Sequence, residues 1–191
     1  MKKFLLLLLC IPFLLGAGHG VDKSTLANVV ISHEESCVHE GNFFSVTGYT
    51  TLAADGAIDF QVTTPNTSEW SHMMFNFNST GAVVFTIYES AAVDADGAAV
   101  TPINNNRNST NTSSLTIQTN GTVNTAGNAI YQQAWGYTNT PSKSVGGDLG
   151  AAQGIILKQN TTYRFYIDSN SADNIISYHG HWCEHTDKEP L

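Results

Sequence analysis

Basic side chains are scarce in this chain. Only 8 of its 191 residues are Lys or Arg, against 16 Asp or Glu, so the formal net charge at pH 7 is −8. An acidic chain repels the phosphate backbone, and we therefore expect no nucleic-acid partner. Charged residues of both signs make up 13% of the chain. The abundance of Asn, Thr, Ser and Gly favours an exported protein built of β-strands.

Long apolar runs are absent after the first residues of the chain. Lys2 and Lys3 precede an apolar run over 4–15, and small residues follow at 16–20. This order predicts a secretory signal peptide over 1–20, cleaved near Gly18 or Gly20 and too short to span a bilayer comfortably. Removal of the two lysines takes the net charge from −8 to −10. We expect a secreted protein that makes no membrane contact after cleavage.

Cysteine is also rare, with three in the whole chain. Cys10 lies in the predicted signal peptide, which leaves Cys37 and Cys183. An even count in an exported chain suggests one disulfide, whose long loop is worth roughly 4–5 kcal/mol in the chain-entropy model. Two free buried thiols are the alternative.

No motif for a nucleophile or a phosphate loop is present. Acidic residues such as Asp55, Asp94 and Asp148 are scattered in turn sequences, where Asp is expected for backbone reasons. We therefore expect no catalytic residues, no bound cofactor and no enzyme activity.

Short apolar blocks with a period of two run through the chain. The segment 58–62 alternates apolar and polar residues, as does the last predicted strand near 175–185. No helical period of useful length follows the signal peptide, and nine or ten strands with turns between them predict an all-β antiparallel β-sandwich, jelly-roll-like. We expect one domain over 37–188, preceded at 21–36 by a flexible segment or a first strand. The segments 70–77 and 83–87 form the best predicted hairpin.

A polar stretch at 101–111 interrupts this pattern with five asparagines and one arginine. Asparagine side chains bond to their own backbone and tolerate turns, so the stretch predicts a loop between strands. Its candidate contact residues are Asn104, Asn106, Arg107 and Asn108. A functional loop and an ordinary solvated loop both remain open.

Two further groups of residues could bind a ligand. His179, His181 and His185 alternate on one face of the last predicted strand, together with Cys183, and a spacing of two can direct imidazoles at one metal ion. An exposed polar strand face is the alternative. Trp70 and Trp135 could line a sugar site, although tryptophans in strand patterns also fill cores.

Several segments resemble a family of small tailed-phage virion proteins, which are capsid-associated and similar to head-decoration proteins. The matching segments, in chain order, are 38–41 (Val-His-Glu-Gly), 87–89, 96–109 with its Thr-Pro-Ile-Asn-Asn-Asn-Arg-Asn-Ser run, 156–164 and 182–188. The resemblance covers most of 37–188 and implies a structural role without catalytic residues. It also implies that the asparagine-rich stretch is an architectural crossover, in which Arg107 ties neighbouring carbonyls or a partner subunit.

The chain departs from the family at identifiable positions. Asn105 stands where the family tends to have a second arginine, and Gln159 where it has proline. Cys183 replaces an aromatic residue and Cys37 a non-cysteine residue, and this double change supports a disulfide between the first and last strands. A signal peptide is foreign to proteins that assemble in the cytoplasm.

We therefore expect a non-enzymatic subunit of a virion surface that binds itself as a homo-oligomer and binds capsid or surface proteins. A secreted module that binds glycans, an adhesin or a carbohydrate-binding sandwich, is the alternative. An exported metalloenzyme built on the histidine strand is a third reading.

Overall fold

The computed structural model describes residues 20–21, 28–29, 31–136, 145–148 and 154–186. Its elements in chain order are β1 (Gly20–Val21), β2 (Asn28–Val29), α1 (His33–Glu40), β3 (Phe43–Leu52), β4 (Ala57–Thr63), β5 (Glu69–Ser79), β6 (Val83–Glu89), β7 (Ala92–Ala95), β8 (Ala98–Ala99), β9 (Ile103–Asn104), β10 (Thr116–Thr119), β11 (Thr122–Thr125), β12 (Asn128–Trp135), β13 (Val145–Asp148), β14 (Ile155–Leu157), β15 (Thr162–Ser169) and β16 (Asn174–Thr186). In these ranges no helix has the length and apolar character needed to cross a membrane. The predicted signal peptide lies outside them up to residue 19 and stays a prediction.

Two antiparallel sheets contain most of the strands. Sheet 1 has the spatial order β12-β6-β15-β4-β10-β8. Sheet 2 has the order β13-β5-β16-β3-β9, and β14 also pairs with β5. If β13 and β14 are counted as one interrupted strand, the strands β3, β4, β5, β6, β12, β13/β14, β15 and β16 follow the path of a jelly roll. The predicted fold class is therefore confirmed.

Alternating side chains of the two sheets form the core. Phe75 of sheet 2 lies 5.5 Å from Phe60 and 5.3 Å from Phe165 of sheet 1, measured between ring centroids. Trp182 and Ile176 of β16 are fully buried on the same inner face. Because alternate strand residues point to opposite sides, each of these strands also presents an outer face.

The long insertion between β6 and β12 joins both sheets. Strands β10 and β8 extend sheet 1 beyond β4, whereas β9 extends sheet 2 beyond β3. Strands β7 and β11 pair with each other in a separate ribbon. The asparagine-rich stretch thus begins as a strand of sheet 2 and leads to a strand of sheet 1.

A short helix, α1, was not expected from the sequence. The side chain of Ser32 caps it by accepting a hydrogen bond from the backbone N–H of Glu35, and Gly41 ends it in the left-handed conformation with φ of 74°. Cys37 is the buried residue of this helix, so its sequence lacks the repeated apolar positions from which a helix can be predicted. A helix of eight residues is too short to give a helical period of useful length, and α1 crosses the expected domain boundary at residue 37.

The predicted hairpin between 70–77 and 83–87 was wrong. Strand β5 belongs to sheet 2, whereas β6 belongs to sheet 1 and pairs with β12 and β15. The turn at 80–82 therefore carries the chain across the sandwich. A short turn and two apolar strands are equally compatible with either connection, and only the topology decides between them.

Candidate functional site

One end of sheet 2 is closed by a disulfide. Cys37 of α1 and Cys183 of β16 are bonded, with their Cα atoms 6.0 Å apart and a sequence separation of 146. Phe43 and Val38 pack around the bridge in a small cluster separate from the main core. The bridge predicted from the cysteine count thus joins the start of the domain to its last strand.

The asparagine-rich stretch is bound to the end of α1. Asn104 is buried, and its Nδ2 donates to the carbonyl oxygens of Gly41 (2.8 Å) and Asn111 (3.0 Å). Its Oδ1 accepts from the backbone N–H of Asn106 (2.9 Å). The left-handed glycine is needed here, because a Cβ at Gly41 would lie 2.3 Å from Ser109 Oγ.

The remaining predicted contact residues complete this arrangement, which we call the asparagine clasp (Asn104, Asn106, Arg107, Asn108 and Asn111). Asn106 Nδ2 donates to the carbonyl oxygen of His39 (3.2 Å), and Arg107 Nη1 donates to that of Asn104 (3.3 Å). Asn108 donates its backbone N–H to Asn106 Oδ1 (3.2 Å). The predicted tie from Arg107 to a neighbouring carbonyl is present. The clasp therefore holds the insertion against α1.

Glu184 is a buried carboxylate that sequence reasoning missed. Its Oε1 accepts from Ser113 Oγ (2.5 Å), from the backbone N–H of Ser114 (3.1 Å) and from Trp182 Nε1 (2.8 Å). The carboxylate therefore fastens the end of the insertion to β16. It also lines a polar cleft of about 480 Å³ with Asn42, Glu69 and residues 110–112. The available signal was an acid on the inner face of the last strand, two residues after Trp182.

The histidines predicted to bind metal do not gather at one point. The rings of His179 and His181 lie 4.8 Å apart, but His185 packs instead against His33 of α1 at 5.6 Å. In the part of the chain that the structure describes, no group of three or more His, Cys, Asp or Glu side chains could hold a metal ion.

Burial lowers the pKa of His181 below its usual 6.5, His179 lowers it further, and Glu34 opposes the shift. The Nδ1 atom of His181 is buried without a hydrogen-bond partner.

The outer side of sheet 2 carries no Asp, Glu, Lys or Arg on its three longest strands. We call this surface the uncharged face. It consists of Ser45, Thr47, Tyr49 and Thr51 of β3, His72, Met74, Asn76 and Asn78 of β5, and Ile175, Ser177, His179 and His181 of β16. Tyr49 is 78% exposed and Ile175 is 45% exposed. The sequence placed the histidines on one strand face but did not show that two neighbouring strands continue it.

The outer side of sheet 1 differs from the uncharged face because it contains a largely buried ion pair. Arg164 Nε lies 2.6 Å from Asp59 Oδ2, and the guanidinium packs over the rings of Tyr166 and Tyr88 at 4.2 and 5.5 Å from their centroids. Burial raises the pKa of Asp59 above its usual value, against the opposing effect of Arg164. Gln61 beside it is 1% exposed, and its side chain also lowers the pKa of Asp59 through a hydrogen bond.

The two tryptophans considered as sugar platforms lie in different surroundings. Trp135 packs edge-on against Phe77 at 5.1 Å and near Phe85 at 6.4 Å, so its ring adds to the core. Trp70 is half-buried and lines a cleft of about 400 Å³ with Ile156, Leu157, Lys158 and Gln159. Of the two rings, Trp70 therefore lines an open cleft, whereas Trp135 packs against the core.

No family model, no curated protein and no solved structure matches this chain. The resemblance to tailed-phage virion proteins stays a prediction that rests on the sequence segments alone. The fold, the disulfide, the asparagine clasp and the uncharged face are the features from which a function has to be argued.

Proposed function

We propose that the chain is a non-enzymatic assembly protein, whose copies associate with one another and with the surface of a larger particle. The uncharged face is the observation that carries this proposal. Copies of a chain with a net charge of −8 repel each other, and the repulsion is smallest where no charged side chains are brought together. A surface of Thr, Ser, Asn, Tyr and Ile on a rigid sheet supports close packing between identical subunits.

The rigid support of this face favours the same role. Strand β16 pairs with β3 on one side and with β5 on the other, so Ser177 lies directly between Tyr49 and Asn78. The disulfide and the asparagine clasp fix α1 at one end of the face. A preorganised surface loses little conformational entropy on association, which lowers the cost of binding.

The resemblance to capsid-associated proteins suggests what the larger particle is. It supports a place on a virion surface, with capsid or surface proteins as partners beside copies of the chain itself. The predicted signal peptide and the disulfide support a location outside the cytoplasm, where a disulfide persists. The jelly-roll fold fits this reading, because viral capsid domains use it, but it hosts lectin domains as well.

Analytical ultracentrifugation over a range of concentrations tests the proposal. Ser177→Lys places a charge at the centre of the uncharged face and should shift the protein toward monomers. The matched control is Thr116→Lys, which adds the same charge at an exposed position of sheet 1 and should leave the association unchanged. A wild-type protein that stays monomeric and does not co-sediment with particles overturns the proposal.

A second candidate function, glycan binding, is favoured by the Trp70 cleft. The ring lines the cleft beside Gln159, whose Nε2 donates to the carbonyl oxygen of Glu69 (3.3 Å). An aromatic face beside an amide suits a sugar ring, which has an apolar side and hydroxyl groups. A glycan array with Trp70→Ala as the loss-of-binding variant tests it, and an array without any bound glycan counts against it.

A further inference from the structure

In the described part of the chain, strand β3 is largely unpaired on one side. On its first side it pairs with β16 over its whole length, from Phe43 to Leu52. On its second side β9 pairs only with Phe44 and Ser45. Among the described residues no strand lies beside 46–52 on that second side. An open edge of this kind presents unpaired backbone N–H and C=O groups, which can pair with another chain.

This edge lacks the features that usually prevent such pairing. Natural edge strands are kept short, bulged, charged or interrupted by proline. Strand β8, at one edge of sheet 1, has two residues, and β12, at the other, has an irregular register between Ala129 and Tyr131. Strand β3 has ten residues, a continuous register with β16, and no charged residue or proline. Unlike the edge strands β8 and β12 of sheet 1, β3 therefore has no feature that blocks pairing with another strand.

The composition of 46–52 allows the segment to pair with itself. In an antiparallel pair centred on Tyr49, Thr47 lies opposite Thr51 of the other copy, and Tyr49 lies opposite its own equivalent. Thr–Thr and aromatic–aromatic pairs directly opposite each other are favourable in antiparallel sheets. No like charges meet, although each chain carries a net charge of −8. The pairing is isologous and therefore closes at two copies.

We propose that residues 46–52 of β3 pair antiparallel with the same residues of a second copy, centred on Tyr49. The two copies of sheet 2 then form one continuous sheet, and their uncharged faces form one double-sized surface. The exposed ring of Tyr49, 78% accessible in the single chain, is covered by its equivalent. The inference rests on the proposed self-association and adds the strand through which two copies meet.

Disulfide trapping tests both the pairing and its register. Directly opposed residues of an antiparallel pair are close enough for a disulfide, whereas residues two positions out of register are not. Tyr49→Cys should therefore give a covalent dimer under mild oxidation. Thr47→Cys alone should give none, but an equimolar mixture of Thr47→Cys and Thr51→Cys should give a heterodimer. The side chains at all three positions are exposed to solvent and only their backbone groups pair in the sheet. The cysteine variants should therefore fold.

A second measurement uses charge instead of a cross-link. Tyr49→Lys places two ammonium groups opposite each other and should raise the dissociation constant of the dimer by about tenfold or more. Thr116→Lys, at an exposed position of sheet 1 away from this edge, is the matched control and should leave the dimer intact. Association that persists in Tyr49→Lys without cross-linking of Tyr49→Cys overturns the edge pairing and leaves the proposed function standing. A wild-type chain that stays monomeric overturns the edge pairing, and it overturns the proposed function as well if it does not co-sediment with particles.

Discussion

The outer faces of the two sheets handle polar groups in opposite ways. On the outer face of sheet 1, Arg164 is paired within the chain: its guanidinium binds the carboxylate of Asp59 and packs over two tyrosine rings. The outer face of sheet 2 has no Asp, Glu, Lys or Arg on β3, β5 and β16, and it leaves hydroxyl, amide and imidazole groups at its surface. One face is complete within the single chain, whereas the other is suited to contact with a second molecule. Both sheets are antiparallel layers of one sandwich, so the difference between their outer faces comes from the side chains.

The largest expected effect comes from breaking the ion pair of sheet 1. In Arg164→Leu the carboxylate of Asp59 stays buried without its cation, and we expect a loss of about 3 kcal/mol in the free energy of unfolding. Urea unfolding monitored by tryptophan fluorescence measures it. Ser177→Leu on the uncharged face is the matched substitution and should change stability by less than about 0.5 kcal/mol.

The same pair allows a stricter control. The double variant Asp59→Asn, Arg164→Leu removes both charges, so no isolated carboxylate is left and part of the lost stability should return. If Arg164→Leu and Ser177→Leu were equally stable, the two faces would not differ in the way described above.

The asparagine clasp gives an intermediate effect. Asn104→Ala removes the donors to Gly41 and Asn111 and the acceptor of the Asn106 N–H, and it should cost about 2 kcal/mol in unfolding free energy. Asn108→Ala is the control, because that side chain is exposed and makes no hydrogen bond among the described residues, and it should cost less than about 0.5 kcal/mol. Equal losses in chemical denaturation would show that the stretch acts as a solvated loop.

The smallest effect is a pH dependence at the edge of the uncharged face. The pKa of His181 is lowered by burial, so between its folded value and the usual 6.5 the unfolded chain binds more protons. The contribution of His181 to stability is therefore complete above pH 6.5 and is lost as the pH falls toward the folded value. His179 on the same strand and Glu34 on α1 face the imidazole, Phe43 packs on it at 5.6 Å, and Met74 lies opposite on β5.

Thermal unfolding across this pH range measures the effect. His181→Gln should lose the acid-induced decline, while His39→Gln, at an exposed position of α1, should keep it. A decline that is identical in both variants would mean that another group titrates.

Local patterns in the sequence were sufficient for the class of fold and for several faces. The period of two placed His179 and His181 opposite Ile176 and Trp182 on the last strand, and the structure agrees. The count of cysteines suggested the bridge between Cys37 and Cys183. Each of these inferences depends only on the geometry of a strand or on the chemistry of an exported chain.

Information about neighbours in space could not be read from local patterns. The turn at 80–82 looks the same whether β6 pairs with β5 or crosses to the other sheet, and it crosses. Helix α1 buries little beyond Cys37, so its stability comes from its caps and from the disulfide and clasp. Glu184 looked like one more polar residue near the chain end, because its donors Ser113 and Ser114 are 70 positions or more away in sequence.

The bridge between Cys37 and Cys183 has a mechanical consequence. Tension applied to the two ends of the chain enters at α1 and leaves at β16, and between these points a covalent bond runs in parallel with the sheets. The bond carries the load, so the chain between the two cysteines, which contains nearly all of the sandwich, is shielded from stretching. A chain pulled from both ends would keep its fold under forces that peel apart an unbridged sandwich, until a reductant cuts the bond.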